Sequence, residues 1–191
     1  MGRRRATVGP AYRLPPLSFG RVDAQANVDT ETHLILAQHV TDHTNDKQEV
    51  GPALERLDAL PEVLGAVDAL LADTGYHSQE NLERCAAAGI DPYIPEARQR
   101  HNPPLAERLA DDPPAPQGEP TPAEATAHRL RTREGKARYA KRRATVETVF
   151  GIIKHVLGFR QFLLRGLRAV QGEWVLVCLG WNLKRLFALK G

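Results

Sequence analysis

"VDALLADTGYHSQENLERCAAAGIDPYIP", residues 67–95, decides the fold class. An apolar run ends at Asp73, Gly75 supplies a turn, Ser78 stands where a helix N-cap belongs, and Gly89 falls at the helix C′ position before a short strand, "IDPYIP". Strand, helix and strand in that order predict a parallel pair joined by a crossover helix. In open sheets of this kind ligands gather beyond the carboxyl ends of the strands, which is where Asp73 falls.

Upstream, "VDAQANVD" (22–29) alternates: Val22, Ala24, Ala26 and Val28 point one way, and Asp23, Gln25, Asn27 and Asp29 the other. That pattern predicts a half-buried strand. "THLILAQHV" (32–40) has a continuous apolar centre and predicts a second strand forming a hairpin with the first. Asn45 or Asp46 can cap a helix through "KQEVGPALERLDAL", which Gly51 and Pro52 interrupt. Downstream, five of the twelve residues from Asp111 to Pro122 are proline, so 102–121 reads as an insertion without packed structure of its own. It ends in a capping box, Thr121 and Glu124, with Pro122 at the first helical position. Helices are expected to about Arg133, from about Glu134 to Leu157, and from Leu167 to Leu189.

With 191 residues, 42% hydrophobic and 26% charged, the chain has material for one sizeable core. The most apolar stretch, "WVLVCLGWNL" (174–183), is about half a bilayer span and reads as a buried core helix. The N-terminus is basic but lacks an apolar stretch, so it is no secretory signal. Cys85 and Cys178 lie too far apart in sequence for a metal or redox motif and read as reduced core residues of a cytoplasmic protein. The net charge of +3 is segregated: from Arg129 to Arg168 there are 12 Lys or Arg and 2 Asp or Glu, a local +10 that leaves −7 elsewhere. Such segregation points to a polyanion, most naturally nucleic acid, or to a solvated helix face.

Within that basic stretch Glu147 stands beside an apolar stripe of Val146, Val149, Phe150, Ile153, Val156 and Leu157. At about 100° per residue, Arg143 and Lys154 fall within about 40° of Glu147 and form a row along the helix. One reading is an ordinary Arg and Glu pair at helical spacing, contributing a few tenths of a kcal/mol. The other is a metal-binding carboxylate with cations that hold phosphates near it, for which Asp73 is the natural partner. Two hard carboxylates suit Mg²⁺ or Mn²⁺ and leave positions for water and phosphate oxygens.

"LLADTGYHSQENL" and "YAKRRATVETVFGIIKHVLGFRQFLLRGL…VQGEWVLVCLGWNLKRL" resemble the second-Asp and Glu motifs of DDE-type insertion-sequence transposases. "VDAQANVD" and "THLILAQHVTDHTNDKQEVGPAL" resemble the segments that precede the second Asp, so the likeness runs from residue 21 to about 189. It implies an α/β domain with a ribonuclease-H-like mixed sheet, flanking helices and further C-terminal helices. It also implies that Asp73 and Glu147 are the second and third members of a metal-binding catalytic triad. The family's Tyr, Arg, Glu and Lys pattern is matched by Tyr139, Arg143, Glu147 and Lys154, with Tyr139 one residue out of spacing. Arg142 restores that spacing, but the helical projection places it at the far edge of the apolar stripe, so Arg143 is the expected residue. Arg142, Arg143, Lys154, Arg160, Arg165 and Arg168 are expected to contact DNA backbone. The implied partners are transposon-end and target DNA, with a second copy or a full-length relative; no membrane is implied.

The family's first Asp belongs on a central strand upstream of "VDAQANVD". "RATVGPAYRLPPLSF" has no acid and three prolines, so 1–20 is expected to be non-homologous and disordered. Residues 21–191 are then expected to be a truncated catalytic domain lacking its first strand and inactive alone. A non-catalytic DNA-binding module and an unfolded remnant are the competing readings. Asp23 and Asp29 are expected to serve surface or turn roles. His33, His39 and His43 read as satisfied or exposed histidines, and Trp174 and Trp181 as core anchors.

Overall fold

The hairpin forms as the alternation predicts, but its first strand is buried on both faces. A computed structural model of the chain describes the backbone of 4–13 and residues 22–97, 104–105 and 111–191. Strand β2 (Asp23–Asp29) pairs antiparallel with β3 (Ile35–Thr41). Every residue of β2 is buried, which corrects the expected half-buried strand. Its apolar side packs on Val146, Val149, Phe150 and Trp174. On its polar side the Tyr76 hydroxyl donates to Gln25 Oε1 at 2.6 Å. Asp29 keeps its turn role, accepting from Thr32 N at 2.6 Å and Glu31 N at 3.2 Å.

The expectation of a missing central strand is overturned. Strand β1 (Arg4–Arg13) runs between β2 and β4 (Val67–Leu71), antiparallel to the former and parallel to the latter. With β5 (Asp91–Tyr93) parallel to β4, the five-stranded order is β3-β2-β1-β4-β5. Proline is tolerated in β1 for a local reason. Pairing with β4 covers only Arg4 to Thr7, and the register with β2 shifts between Pro10 and Tyr12. Pro10 therefore sits at an irregularity beyond the β4 ladder, where a missing N–H costs least. The segment expected to be disordered thus holds a strand, while residues 1–3 and 14–20 lie outside the described residues.

Helix α1 (Val50–Asp58) continues a 3₁₀ turn, Asp46–Glu49, that Asn45 caps by accepting from Lys47 N at 3.1 Å. Pro52 falls in the first turn of α1, where its absent N–H would be unpaired anyway. Helix α2 (Gln79–Ala87) is capped by Ser78, whose Oγ accepts from Asn81 N at 3.2 Å, and Gly89 follows it at φ 67°. These two helices cover one face of the sheet through Leu54, Leu57, Leu70, Ala72, Leu82 and Cys85.

Helix α3 (Pro122–Arg131) starts at the expected capping box. It guards the β5 edge: Arg129 donates to the Pro92 carbonyl at 3.1 Å and to Asp91 at 2.7 Å, and lies over the Tyr93 ring. Part of the proline-rich insertion lies outside the described residues. Its described end, 111–121, is irregular yet tethered, because Asp112 accepts from Arg133 N at 2.6 Å and the Pro113 carbonyl meets His128 Nε2 at 3.1 Å.

The long basic helix comes in three pieces. Helix α4 (Arg133–Arg142) passes into a π-helical turn, Arg143–Glu147, and then into α5 (Thr148–His155). The apolar stripe is shorter than expected: Val146, Val149, Phe150 and Ile153 are buried, but Val156 is 65% and Leu157 41% exposed. The last helix, α6 (Leu167–Lys190), lies along the outer strand β3. Trp174 and Trp181 are the anchors expected, donating to the carbonyls of Gln25 (3.1 Å) and His33 (2.8 Å). Asn182 accepts from Ile35 N and donates to Ile35 O, both at 2.8 Å, and so stands in for a neighbouring strand. Gln171 accepts from Val40 N at 2.9 Å further along the same edge. The expectation that 174–183 is a buried core helix is corrected, since Trp174, Cys178 and Trp181 are buried but Val175, Leu176, Leu179 and Leu183 are exposed. Among the described residues no helix is long and apolar enough to cross a membrane.

Candidate active site

Asp73 follows β4 by two residues and caps the 3₁₀ turn Thr74–Tyr76, its Oδ1 accepting from Gly75 N at 2.9 Å. A Cβ on Gly75 would stand 3.0 Å from Asp73 Oδ1 and 3.2 Å from Asp46 Oδ2, so a larger residue requires these carboxylates to give way by a few tenths of an ångström. The Asp46 and Asp73 carboxylates thus flank one glycine, an arrangement the sequence reading missed because it spans 27 residues. Tyr76, beneath them, is fully buried; burial raises its phenol pKa well above the ordinary value, and the charges of Asp46, Asp73 and Glu49 add to this.

Tyr139 packs against Ala69, Leu71, Tyr93 and Leu130, at the strand end that leads to Asp73. Burial raises its phenol pKa, Arg142 and Arg143 oppose this, and Asp73 contributes to the rise. The Arg142 guanidinium lies 5.9 Å from the Tyr139 ring centre, and its Nη2 is 3.3 Å from Glu147 Oε1. Arg142 thus joins Tyr139 to Glu147, at the end of the strand that leads to Asp73.

The pairing of Arg142 with Glu147 follows from the π turn. A 100° projection favours Arg143, but the π turn holds one residue more than an α turn, so positions five apart share a face. Arg142, five before Glu147, thereby takes the place that Arg143 would hold on a regular helix. Arg143 is exposed and still acts on the charge environment of Tyr139. Lys154 is half-buried on α5, while Arg160, Arg165 and Arg168 are exposed on the loop after it and on the first turn of α6.

The sequence profile of the family described as "Transposase DDE domain" matches residues 17–183. The chain belongs to that family. No curated protein and no solved structure gives a match. Transposases act on DNA, and the DDE family generally works with divalent metals. In this transposase-family chain no group of three or more His, Cys, Asp or Glu side chains able to hold a metal ion occurs among the described residues. The donor chemistry nevertheless suits a hard cation. Asp73 commits Oδ1 to Gly75 and Glu147 commits Oε1 to Arg142, which leaves the second oxygen of each carboxylate without a hydrogen bond among the described residues.

Across the sheet His39, Thr41 and His43 converge on Glu49, which is buried: His39 Nε2 donates at 2.6 Å, His43 Nδ1 at 2.8 Å and Thr41 Oγ1 at 3.1 Å. His39 and His43 are thus one buried and one half-exposed partner of a structural carboxylate. His39 lies in β3 and His43 two residues beyond its end, so their convergence on the buried glutamate was not readable from strand spacing.

Proposed function

We propose that Asp73 and Glu147 are two carboxylates of a DDE centre on a ribonuclease-H-like sheet, holding Mg²⁺ or Mn²⁺ for cutting and joining DNA. The observation that carries this reading is that Asp73 lies two residues beyond the end of β4, where Tyr139 packs on Leu71 of that strand and Arg142 sits between Tyr139 and Glu147. The strand order β3-β2-β1-β4-β5 supports the ribonuclease-H-like part. The bound ions would activate a water or 3′-hydroxyl and stabilise the leaving oxygen of an in-line phosphoryl displacement. Arg142 orients the Glu147 carboxylate and fixes it against Tyr139. Arg143, Lys154, Arg160, Arg165 and Arg168 neutralise DNA phosphates, which contributes affinity without reading sequence.

A second reading, a DNA-binding module without catalysis, is favoured by one observation: the first acidic residue in the chain is Asp23, so β1 carries no carboxylate. Continuing the pairing of Thr7 with Leu71 brings Gly9 level with Asp73. The DDE reading therefore includes the expectation that strand transfer by this chain alone is absent.

Thermal unfolding with and without Mn²⁺ tests the proposal. At about 100 times its dissociation constant, one bound ion adds about 2.7 kcal/mol and raises the midpoint by roughly 2–4 °C in a chain of this size. The shift should vanish in Asp73→Asn and in Glu147→Gln. A shift that survives both substitutions sinks the assignment of these carboxylates. DNA binding that needs no divalent metal and is unchanged by Asp73→Asn supports the second reading.

A further inference from the structure

At the start of β4, away from Asp73, helices α1 and α2 enclose a cavity of about 840 Å³. Its floor is apolar, made by Leu54 and Leu57 of α1 together with Leu60, Val67 and Ile90. Its rim is acidic: Glu55 and Asp58 stand on α1, and Glu62 on the 3₁₀ turn Glu62–Leu64 that follows. We propose that this cavity binds a small amphiphilic cation, an apolar chain or ring that carries a protonated amine.

Charge selects the sign of the ligand. Leu54, Glu55 and Asp58 share one face of α1, so a single helix supplies both apolar floor and charged lip. All three carboxylates are exposed, and none is in an ion pair among the described residues. Arg84, the one cation among the described lining residues, is already neutralised by Glu80, with Nη2 2.6 Å from Oε1. An anionic ligand would meet three uncompensated negative charges, whereas a cation offsets them.

Shape selects its size. Residues 60–67 close the cavity at one end. At the other, Arg84 reaches across from α2, and its guanidinium lies so close to Gly51 that a Cβ there would overlap Nη1. Glycine weakens a helix, and at position 51 it makes room for that crossing. The enclosed volume falls within the range of about 300–1,000 Å³ usual for small-molecule sites. A docked helix would instead need an open groove, which Arg84 interrupts. Asp73 follows the opposite end of β4, so the cavity is separate from the candidate active site and the inference does not depend on the chemistry proposed there.

Fluorescence titration of the full chain with dansylcadaverine, a dansyl ring on an alkyl chain that ends in a primary amine, tests it. The N-acetyl derivative has the same apolar body without the charge. The wild type is expected to bind the amine saturably, with blue-shifted emission, and the acetylated probe about 10-fold more weakly, as loss of a few exposed ion pairs does. Glu55→Gln, Asp58→Asn and Glu62→Gln, combined in one variant, should weaken binding of the amine by about 10-fold and leave the acetylated probe unchanged. Ala88→Trp, at an exposed position in the cavity wall, should fill the space and weaken both probes by about 10-fold or more. Thermal melts of both variants should match the wild type, because the substituted positions are exposed. No saturable binding by the wild type overturns the proposal, and this needs no variant. Equal affinity for the two probes, or binding that survives Ala88→Trp, overturns it as well. Binding of an amphipathic leucine–lysine peptide without binding of the amine assigns the cavity to a protein partner and overturns the small ligand.

Discussion

Glu49 shows how a single buried carboxylate sets a pH limit on this fold. Burial alone would push its pKa up, but donors from His39, His43 and Thr41 outweigh that, and the net position is below the ordinary glutamate value. A carboxyl depressed on folding stabilises the native state above its unfolded pKa, and the contribution disappears as the pH falls through the folded one. Urea unfolding of the wild type should therefore lose stability below about pH 4.3, the ordinary glutamate value. Glu49→Gln should be less stable by about 1–3 kcal/mol at neutral pH, because His39 and His43 lose a charged acceptor, and should show a flatter acid limb. An acid limb identical in the two proteins would assign the pH dependence to other groups. At this scale the sequence was informative about residue types but not about pairings. His39 and His43 were legible as satisfied or exposed histidines, whereas the pairing of Arg142 with Glu147 depended on the π turn. A helical projection assumes 3.6 residues per turn and cannot register an extra residue.

Elements were more legible than pairings. The 67–95 unit, the hairpin and the start of α3 follow from capping residues and alternation, which act over a few positions. Strand β1 did not, since its prolines argue against a central strand until the short pairing with β4 is known. Burial of the polar side of β2 was hidden for a similar reason, because Tyr76 and the cluster around Glu49 come from other elements. The corner between α3 and α4 yields a sharp expectation. A Cβ on Gly135 would overlap the Arg129 carbonyl, which Thr132 Oγ1 already contacts at 2.8 Å. Gly135→Ala should destabilise by about 1–3 kcal/mol, as overpacking against a fixed neighbour does. Alanine ordinarily favours a helix over glycine by about 1 kcal/mol, so a stabilised variant in a thermal melt would disprove the close packing at this corner.

Across the whole molecule, the sheet is closed at both outer strands by helices, α3 along β5 and α6 along β3. The β3 closure depends on side-chain amides, and Asn182 satisfies both backbone groups of Ile35. Asn182→Ala should cost about 1–3 kcal/mol, because it leaves a donor and an acceptor unpaired on a partly buried edge. The same variant should aggregate faster on heating, since an uncovered strand edge is a template for pairing with other chains. Unchanged stability and solubility would mean that water replaces the amide without loss.

The packing of α6 has a spectroscopic consequence. The chain has two tryptophans, and both sit on this helix with their indole N–H groups held by carbonyls of β2 and of the turn before β3. Trp174 is ringed by Phe150, Phe159 and Phe162 at 5.8–6.4 Å between ring centres. Intrinsic fluorescence of the unlabelled protein is therefore a direct gauge of whether α6 is seated: blue-shifted emission while the helix lies on the hairpin, and a red shift as soon as it lifts off, even if the rest of the sheet stays folded.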